Sequence, residues 1–475
     1  MANEILNVDI CVIGAGAAGL SVAAGAAQLG ASTVLIEKGR MGGDCLNYGC
    51  VPSKALLAAA HTAARIRSAG RFGILGAEPR VVEAGVAARV RSAIAAIAPN
   101  DSAERFEGLG VRVIRSAARF IGPTEVIAEN VKIRARRFVV ATGSAPATPP
   151  IPGIDTVDAL TNETIFEQPA LPDHLVVIGG GPIGVEMAQA HRRLGCNVTA
   201  IQKSTILPKD DPELVDVVRS RLRQEGVALY EGSTVTRVMR TAGGIAVSMR
   251  QGEGNLTVEG SHLLVAAGRQ PSVTGLGLET AGIEYDDAGI RVDNRLRTTN
   301  RNVYAIGDVT GRQQFTHVAG YHAGIVIRNA LFRLPTKLDE RAIPWVTYSE
   351  PELAQVGQTE ATARAGGRDI RILRWPFAEN DRAQTQGLTD GFIKVVATSR
   401  GRILGAGIVG ARAGELIALW GLAIQERLKI GAVARMIAPY PTLGEVSKRA
   451  AGSFFTPTLF GEGTKRLVRF LARFP

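Results

Sequence analysis

The sequence predicts an α/β chain with two Rossmann-like dinucleotide-binding domains and a C-terminal α+β dimerisation domain. Three observations predict it. A strand, a glycine turn, a helix and a second strand open the chain, and the same order returns near residue 175. The two copies share one internal offset, which marks a repeat of architecture. The last third, from about Ile343, carries no glycine turn of this kind and mixes strands with helices.

The first strand, Asp9–Ile13, runs into Gly14-Ala15-Gly16-Ala17-Ala18-Gly19. A helix of small residues follows, then the strand Ser32–Ile36, ending at Glu37 with Lys38 beside it. Gly14, Gly16 and Gly19 let the backbone approach a pyrophosphate at the helix N-terminus, and Glu37 is placed to accept from a ribose hydroxyl. The glycine pattern alone is weak, but strand, turn, helix and acid together are specific.

Gly42-Gly43-Asp44-Cys45-Leu46-Asn47-Tyr48-Gly49-Cys50-Val51-Pro52-Ser53-Lys54 comes next. Its glycines allow a turn tight enough to bring two sulfurs together. Pro52 suits a first helical turn, so Cys50 lies near a helix N-terminus, where a thiolate is favoured. Two buried structural thiols that never pair are the alternative. Helical segments then run from Ala55 to about Pro99, followed by short strands up to Thr142-Gly143 and a proline-rich linker from Ala145 to Gly153.

The second fingerprint is the strand Leu175–Ile178, the turn Gly179-Gly180-Gly181-Pro182-Ile183-Gly184, a helix whose exposed part begins at Glu186, and the strand Asn197–Ile201. Gly179, Gly181 and Gly184 take the phosphate-turn positions. Glu37 lies 37 − 14 = 23 residues past the first glycine of its turn, and Gln202 lies 202 − 179 = 23 past its counterpart. Gln202 is neutral and Lys203 follows it, which suits a 2′-phosphate and favours NADPH over NADH. Further on come Ala267-Gly268-Arg269 and the strand Val303–Ile306 leading to Gly307-Asp308. An acid after a strand's carboxyl end points into the crevice where such sheets bind ligands. The expected boundaries are 1–153 and 272–341 for the first dinucleotide domain, 154–271 for the second, and 342–475 for the dimerisation domain.

Composition limits the alternatives. A chain of 475 residues exceeds a single core. No apolar run is long enough to span a bilayer, and the N-terminal residues lack a signal-peptide layout, so the expected location is cytoplasmic. Of the four cysteines, Cys11 and Cys196 lie in or beside strands and are expected to be inert. The net charge of +11 accompanies no basic run interleaved with aromatics and no zinc-finger or RNP pattern, so nucleic acid is not an expected partner. No metal-ligand motif is present, and no metal site is expected.

The two fingerprints, the Cys45/Cys50 segment, Ala141-Thr142-Gly143, Ala267-Gly268-Arg269 and Gly307-Asp308 together resemble the flavin-dependent pyridine nucleotide–disulfide oxidoreductases. The resemblance is closest to the mercuric reductase and dihydrolipoamide dehydrogenase branch. It implies FAD at the first site, NAD(P)H at the second, and a homodimer formed by the last domain. It implies a redox-active Cys45–Cys50 disulfide, with Cys50 touching the flavin and Cys45 exchanging with a small disulfide, thiol or metal-ion acceptor. Lys54 and Glu186 resemble the ion pair beside the reactive flavin nitrogen, and Asp308 the ligand of the ribityl chain.

The departures carry equal weight. Most of the family ends its last domain with His-Pro-Thr and a following glutamate, the histidine serving the partner's thiols as acid–base. Here the run is Tyr440-Pro441-Thr442-Leu443-Gly444-Glu445, and no histidine follows His322. Mercuric reductases also carry tyrosine here, and Asn380-Asp381-Arg382-Ala383 resembles their substrate-side segment. They bring a second cysteine pair from the C-terminal tail, whereas the last cysteine here is Cys196. The leading expectation is an NAD(P)H-dependent FAD disulfide oxidoreductase whose acceptor is not ordinary dihydrolipoamide. The alternatives are a flavin reductase for quinones, dyes or metal ions, and a membrane-associated redox sensor. The last is suggested by the tail, where Leu467, Phe470, Leu471 and Phe474 share one helical face and Arg466, Arg469 and Arg473 another. Packing of that helix on its own domain is the expectation preferred over peripheral membrane contact.

Overall fold

The computed structural model describes residues 4–474. The chain divides into two compact units. One takes residues up to Gly179, Arg193–Ile201 and Thr234–Asp339; the other takes Gly180–Arg192, Gln202–Ser233 and Glu340 onward.

In the first unit, β1 (Glu4–Ile13), α1 (Ala17–Gln28), β2 (Thr33–Ile36), α2 (Gly43–Asn47), α3 (Cys50–Arg67), β3 (Val111–Ile114), β4 (Ala118–Gly122), β5 (Glu125–Ala128) and β6 (Val131–Val140) build the first fingerprint domain. The sheet runs β3-β2-β1-β6-β5-β4, and Val303–Ala305 also pairs with β6. Its register explains the arrangement. One edge of β6 carries β1 in parallel; the other carries β5 opposite Val131–Arg134 and Val303–Ala305 opposite Phe138–Val140. Ile10, Cys11, Val12 and Ile13 are all buried, as expected for a parallel strand covered on both faces. The small residues of α1 admit close packing: a β-carbon on Gly25 would lie 3.5 Å from Ile327 of the helix Thr316–Ala330.

The second fingerprint strand, His174–Ile178, pairs in parallel with Asn197–Gln202 on one side and His262–Val265 on the other. One sequence expectation fails in this unit. The segment beginning at Ala145 is not wholly a linker, because Ser144–Pro146 pairs antiparallel with Arg269–Pro271. Two strands alone form this ribbon, so every strand is an edge and proline costs no obligatory ladder bond.

The second unit contains a five-stranded antiparallel sheet in the order Pro344–Thr347, Glu352–Gly357, Ile403–Gly410, Phe392–Thr398, Ile370–Pro376. The helix Ala413–Gln425 covers it, with Trp420 fully buried and its indole N–H donating to Ser447 at 3.1 Å. Lys394 is buried within 3 Å of the carboxylates of Asp211 (2.8 Å), Glu213 (2.7 Å) and Glu360 (2.9 Å). Removing Lys394 would leave the Asp211 carboxylate buried without its cation, at a cost of about 3–5 kcal/mol.

Two further expectations are corrected here. Glu186 does not begin an exposed helix face; it is 4% exposed, and its carboxylate accepts from the backbone N–H of Tyr348 at 2.9 Å. The last helix, Glu462–Leu471, does not pack on its own domain, and none of its residues is buried. Among the described residues no helix is long and apolar enough to cross a membrane.

Candidate active site

The first set of predicted residues gathers at the carboxyl edge of one sheet. Gly14 follows the end of β1, Thr142 and Gly143 follow β6, and Gly307-Asp308 follow Val303–Ala305. All three strands run parallel, so their loops open on the same edge. Gly14 has φ +104°, and a β-carbon there would fall 2.4 Å from the Ala141 carbonyl oxygen. A β-carbon on Gly19 would fall 1.8 Å from the Gly14 carbonyl oxygen. Both glycines are required by packing. At Gly16 the nearest atom would be the Gly43 Cα at 3.8 Å, so its face is open. The Glu37 carboxylate accepts from the backbone N–H groups of Ala15 and Gly39, each at 2.6 Å, while Lys38 is exposed.

Beside this turn lies a polar cluster. Arg269 donates to the Ser144 hydroxyl at 2.7 Å and the Ser144 carbonyl at 2.9 Å, and pairs with Asp44 at 3.2 Å. The Ser144 hydroxyl donates to Asp308 at 2.7 Å, and burial pushes the Asp308 carboxyl upward. Thr142 donates to the Ser272 carbonyl at 2.8 Å. Gly143, Gly268 and Gly307, with φ +69°, +140° and +71°, make the turns that bring these segments together. The open backbone at Gly16, at the start of α1, and the half-buried Asp308 fit a flavin dinucleotide: the former admits phosphate, the latter a polyol hydroxyl.

The cysteine segment abuts that turn. Gly43 has φ +58°, and a β-carbon there would sit 2.7 Å from the Gly16 Cα. Cys45 lies in α2, and Cys50 is the first residue of α3. Both are free thiols, Cys50 the more exposed. They share a hydrogen bond that polarises them in opposite directions. It holds the Cys50 thiol below its ordinary range, aided by the Thr316 hydroxyl and the charge of Lys54, while burial and Asp44 oppose the shift. The same bond, with burial, pushes the Cys45 thiol upward. Cys45 therefore keeps the proton and donates it toward a Cys50 thiolate. Lys54 is half-buried one turn along α3. Thr316, whose hydroxyl lies 3.5 Å from the Cys50 sulfur, was not singled out by the sequence. It lies 266 residues away in the chain, and only the fold reveals the contact.

The second turn reproduces the first. Gly179 has φ +115°, and a β-carbon there would fall 2.3 Å from the Ala266 carbonyl oxygen. A β-carbon on Gly181 would meet nothing within 4 Å, and Gly184 is buried in the helix Pro182–Arg193. Gln202 accepts from the Gly180 N–H at 2.8 Å, as Glu37 does from Ala15, and its amide donates to Ser204 at 3.0 Å. Lys203 is exposed.

Two predicted segments of the second unit also meet. Tyr440, 71% exposed, donates its hydroxyl to Asp381 at 2.9 Å, and the Asn380 amide donates to the Thr442 carbonyl at 3.1 Å. That hydrogen bond and the charge of Asp381, with Glu445 nearby, raise the phenol above its ordinary range. Glu445 is the first residue of the helix Glu445–Ser453.

Comparison with known proteins agrees with this geometry. Residues 8–323 match the pyridine nucleotide-disulphide oxidoreductase family model, and residues 343–451 match that family's dimerisation domain. The chain is 35% identical over 454 residues to a mercuric reductase of Streptomyces lividans, covering 94% of this chain and 96% of that protein. It is 36% identical over 457 residues to a dihydrolipoyl dehydrogenase of Thermus scotoductus, covering 93% and 96%. Among solved structures, LpdA of Mycobacterium tuberculosis superposes with a TM-score of 0.86 at 30% identity, covering 94% of this chain and 99% of that one. A Cu(II) complex of the flavoprotein disulfide reductase RclA of Escherichia coli gives 0.82 at 28% identity, covering 93% and 99%. With two turns built to hold dinucleotides and a polarised thiol pair against the first, the chain belongs to the pyridine nucleotide–disulphide oxidoreductases, enzymes that use FAD and NAD(P)H.

Proposed function

We propose that this enzyme is an NADPH-preferring disulfide reductase in which Cys50 is the flavin-facing thiolate and Cys45 the exchanging thiol, and that its acceptor is not ordinary dihydrolipoamide. The opposite polarisation of the two thiols carries this reading. Gly14, Gly16, Gly19, Glu37, Arg269 and Asp308 would hold FAD; Gly179, Gly181, Gly184, Gln202 and Lys203 would hold the nicotinamide cofactor. FAD in that place supplies a two-electron relay between NAD(P)H and the thiol pair.

The protein's own groups do the rest. Cys45 passes its proton across the shared hydrogen bond to the Cys50 thiolate and attacks an acceptor disulfide, forming a mixed disulfide and releasing one thiolate. That thiolate takes the proton back from Cys50, which then attacks Cys45, closes the Cys45–Cys50 bond and releases the second half as a thiolate that water protonates. Lys54, together with the first turn of α3, steadies the Cys50 thiolate. In a homodimer, the partner subunit's Tyr440 faces the thiols. A phenol held protonated can hydrogen-bond a leaving thiolate but accepts a proton poorly. Oxidising an incoming dithiol needs a base, and this phenol does not supply one. A chain with four cysteines, only two of them close enough in sequence to form a working pair, suits a reducing compartment, and we place the enzyme in the cytoplasm.

An anaerobic NADPH titration followed by an acceptor screen tests the reading. The expected result is a long-wavelength thiolate–flavin band that Cys50→Ser removes and Cys45→Ser keeps, and turnover with a non-lipoyl disulfide. A band unchanged in Cys50→Ser overturns the thiol assignment. Fast turnover with mercuric or cupric ion, but with no disulfide, overturns the disulfide acceptor in favour of a metal ion.

A further inference from the structure

The last helix, Glu462–Leu471, projects an apolar face that no described residue covers. Leu467, Val468, Phe470, Leu471 and Phe474 are each more than half exposed. Leu467, Phe470, Leu471 and Phe474 follow the i, i+3, i+4, i+7 spacing of a single stripe. The rings of Phe470 and Phe474 meet edge to face at 5.2 Å, so the stripe is continuous. Leu459 and Phe460 extend the exposed apolar surface on the preceding turn. An uncovered face of this kind marks an interaction site.

Charge decides what it fits. Lys465, Arg466, Arg469 and Arg473 occupy the side opposite the stripe, with Glu462 the only acid on the helix. A second copy of this helix would bring the same four cations and a single acid, with no acidic face to meet them. The segment matching the family's dimerisation domain ends at residue 451, before this helix begins. An apolar face backed by cations is complementary to an anionic bilayer, with the aromatic and aliphatic side chains among the acyl chains and the arginines at the headgroups. The helix is too short to cross, so it lies on the surface.

We propose that the helix Glu462–Leu471 docks the enzyme on an anionic lipid surface. The proposal is independent of the identity of the electron acceptor. The test is co-sedimentation of the FAD-loaded full chain with phosphatidylcholine vesicles containing about one-third phosphatidylglycerol, against vesicles of phosphatidylcholine alone. Binding is expected only to the anionic vesicles and should weaken as salt rises. The triple variant Arg466→Glu, Arg469→Glu, Arg473→Glu should lower partitioning by roughly 100-fold or more, at about fivefold per cation lost. Phe470→Ser with Phe474→Ser should abolish binding. NADPH oxidation with ferricyanide and the mass by light scattering should be unchanged in both variants, showing that each is folded. Three results overturn the proposal: no binding to anionic vesicles, equal binding by wild type and variants, or a mass that halves in the Phe470/Phe474 variant. The last would show that a second copy covers the stripe.

Discussion

Replacing Tyr440 by histidine should give the enzyme the dithiol oxidation it is expected to lack. Oxidising dihydrolipoamide requires a group that accepts protons from the incoming thiols. A free phenol, with a pKa of about 10, is deprotonated in about one molecule in a thousand at neutral pH. Asp381 and Glu445 lower that fraction further, because both carboxylates disfavour a phenolate. An imidazole with a pKa of about 6.5 is mostly neutral and available. Its weaker basicity returns part of the gain, leaving an increase of about 100- to 10,000-fold in dithiol turnover. The same carboxylates act with opposite sign on histidine. They favour the imidazolium, so the new pKa should lie above its ordinary value, and Asp381→Asn in the Tyr440→His background should bring it down. The assay is dihydrolipoamide-dependent reduction of the oxidised nicotinamide cofactor across pH, with flavin reduction by NADPH in stopped flow as control. Flavin reduction should change less than about twofold, because the role proposed for Tyr440 is confined to the thiol step. Wild-type lipoamide turnover as fast as flavin reduction would refute the reasoning.

Thr316→Val, which keeps the shape and removes the hydroxyl beside Cys50, should raise the Cys50 pKa by about one unit. Alkylation rate against pH reads this, and a midpoint that stays or falls contradicts the role. Gln202→Glu should shift preference toward NADH by roughly tenfold or more, through repulsion of the 2′-phosphate and a new ribose contact; specificity constants for both nucleotides decide it. Gly14→Ala should destabilise the apoprotein by about 2 kcal/mol or more, given φ +104° and the 2.4 Å approach to Ala141. Gly16→Ala should leave the apoprotein Tm unchanged and weaken FAD retention, because its β-carbon meets only ordinary contact. Equal thermal losses in the two glycine variants would show that Gly16 is also a packing residue.

What the sequence disclosed follows from how local each requirement is. A phosphate turn needs particular dihedrals within six residues, so Gly14 and Gly179 could be read directly, and both have positive φ. Cys50 at a helix N-terminus was legible from Gly49 and Pro52 nearby. Thr316 was not, since its contact depends on how the helix Thr316–Ala330 returns to the first domain. The ribbon Ser144–Pro146 with Arg269–Pro271 was hidden because its prolines read as linker. Glu186 looked exposed because charged residues usually are, but the Tyr348 N–H stabilises its carboxylate in a buried position. The amphipathic pattern of the last helix was visible in the sequence. What its apolar face meets depends on the rest of the molecule, and no described residue covers it.

The two turns separate what the fold demands from what the ligand selects. Each begins with a positive-φ glycine pressed against an alanine carbonyl, at 2.4 Å for Gly14 and 2.3 Å for Gly179. Each has a side-chain oxygen 23 residues on that accepts from the N–H after that glycine. Both positions need only an acceptor for this bond, so geometry cannot explain why one is Glu37 and the other Gln202. The difference is one negative charge, and we propose that it acts on the ligand rather than on the fold. Next to the first turn alone, Gly43 wedges against Gly16 and carries Cys45 and Cys50 in behind it. Substituting Gly43 would push that segment off the turn, since a β-carbon there has only 2.7 Å to the Gly16 Cα. The chain thus uses one repeated backbone device twice, with one charge fewer at the second copy and one thiol-bearing segment set against the first.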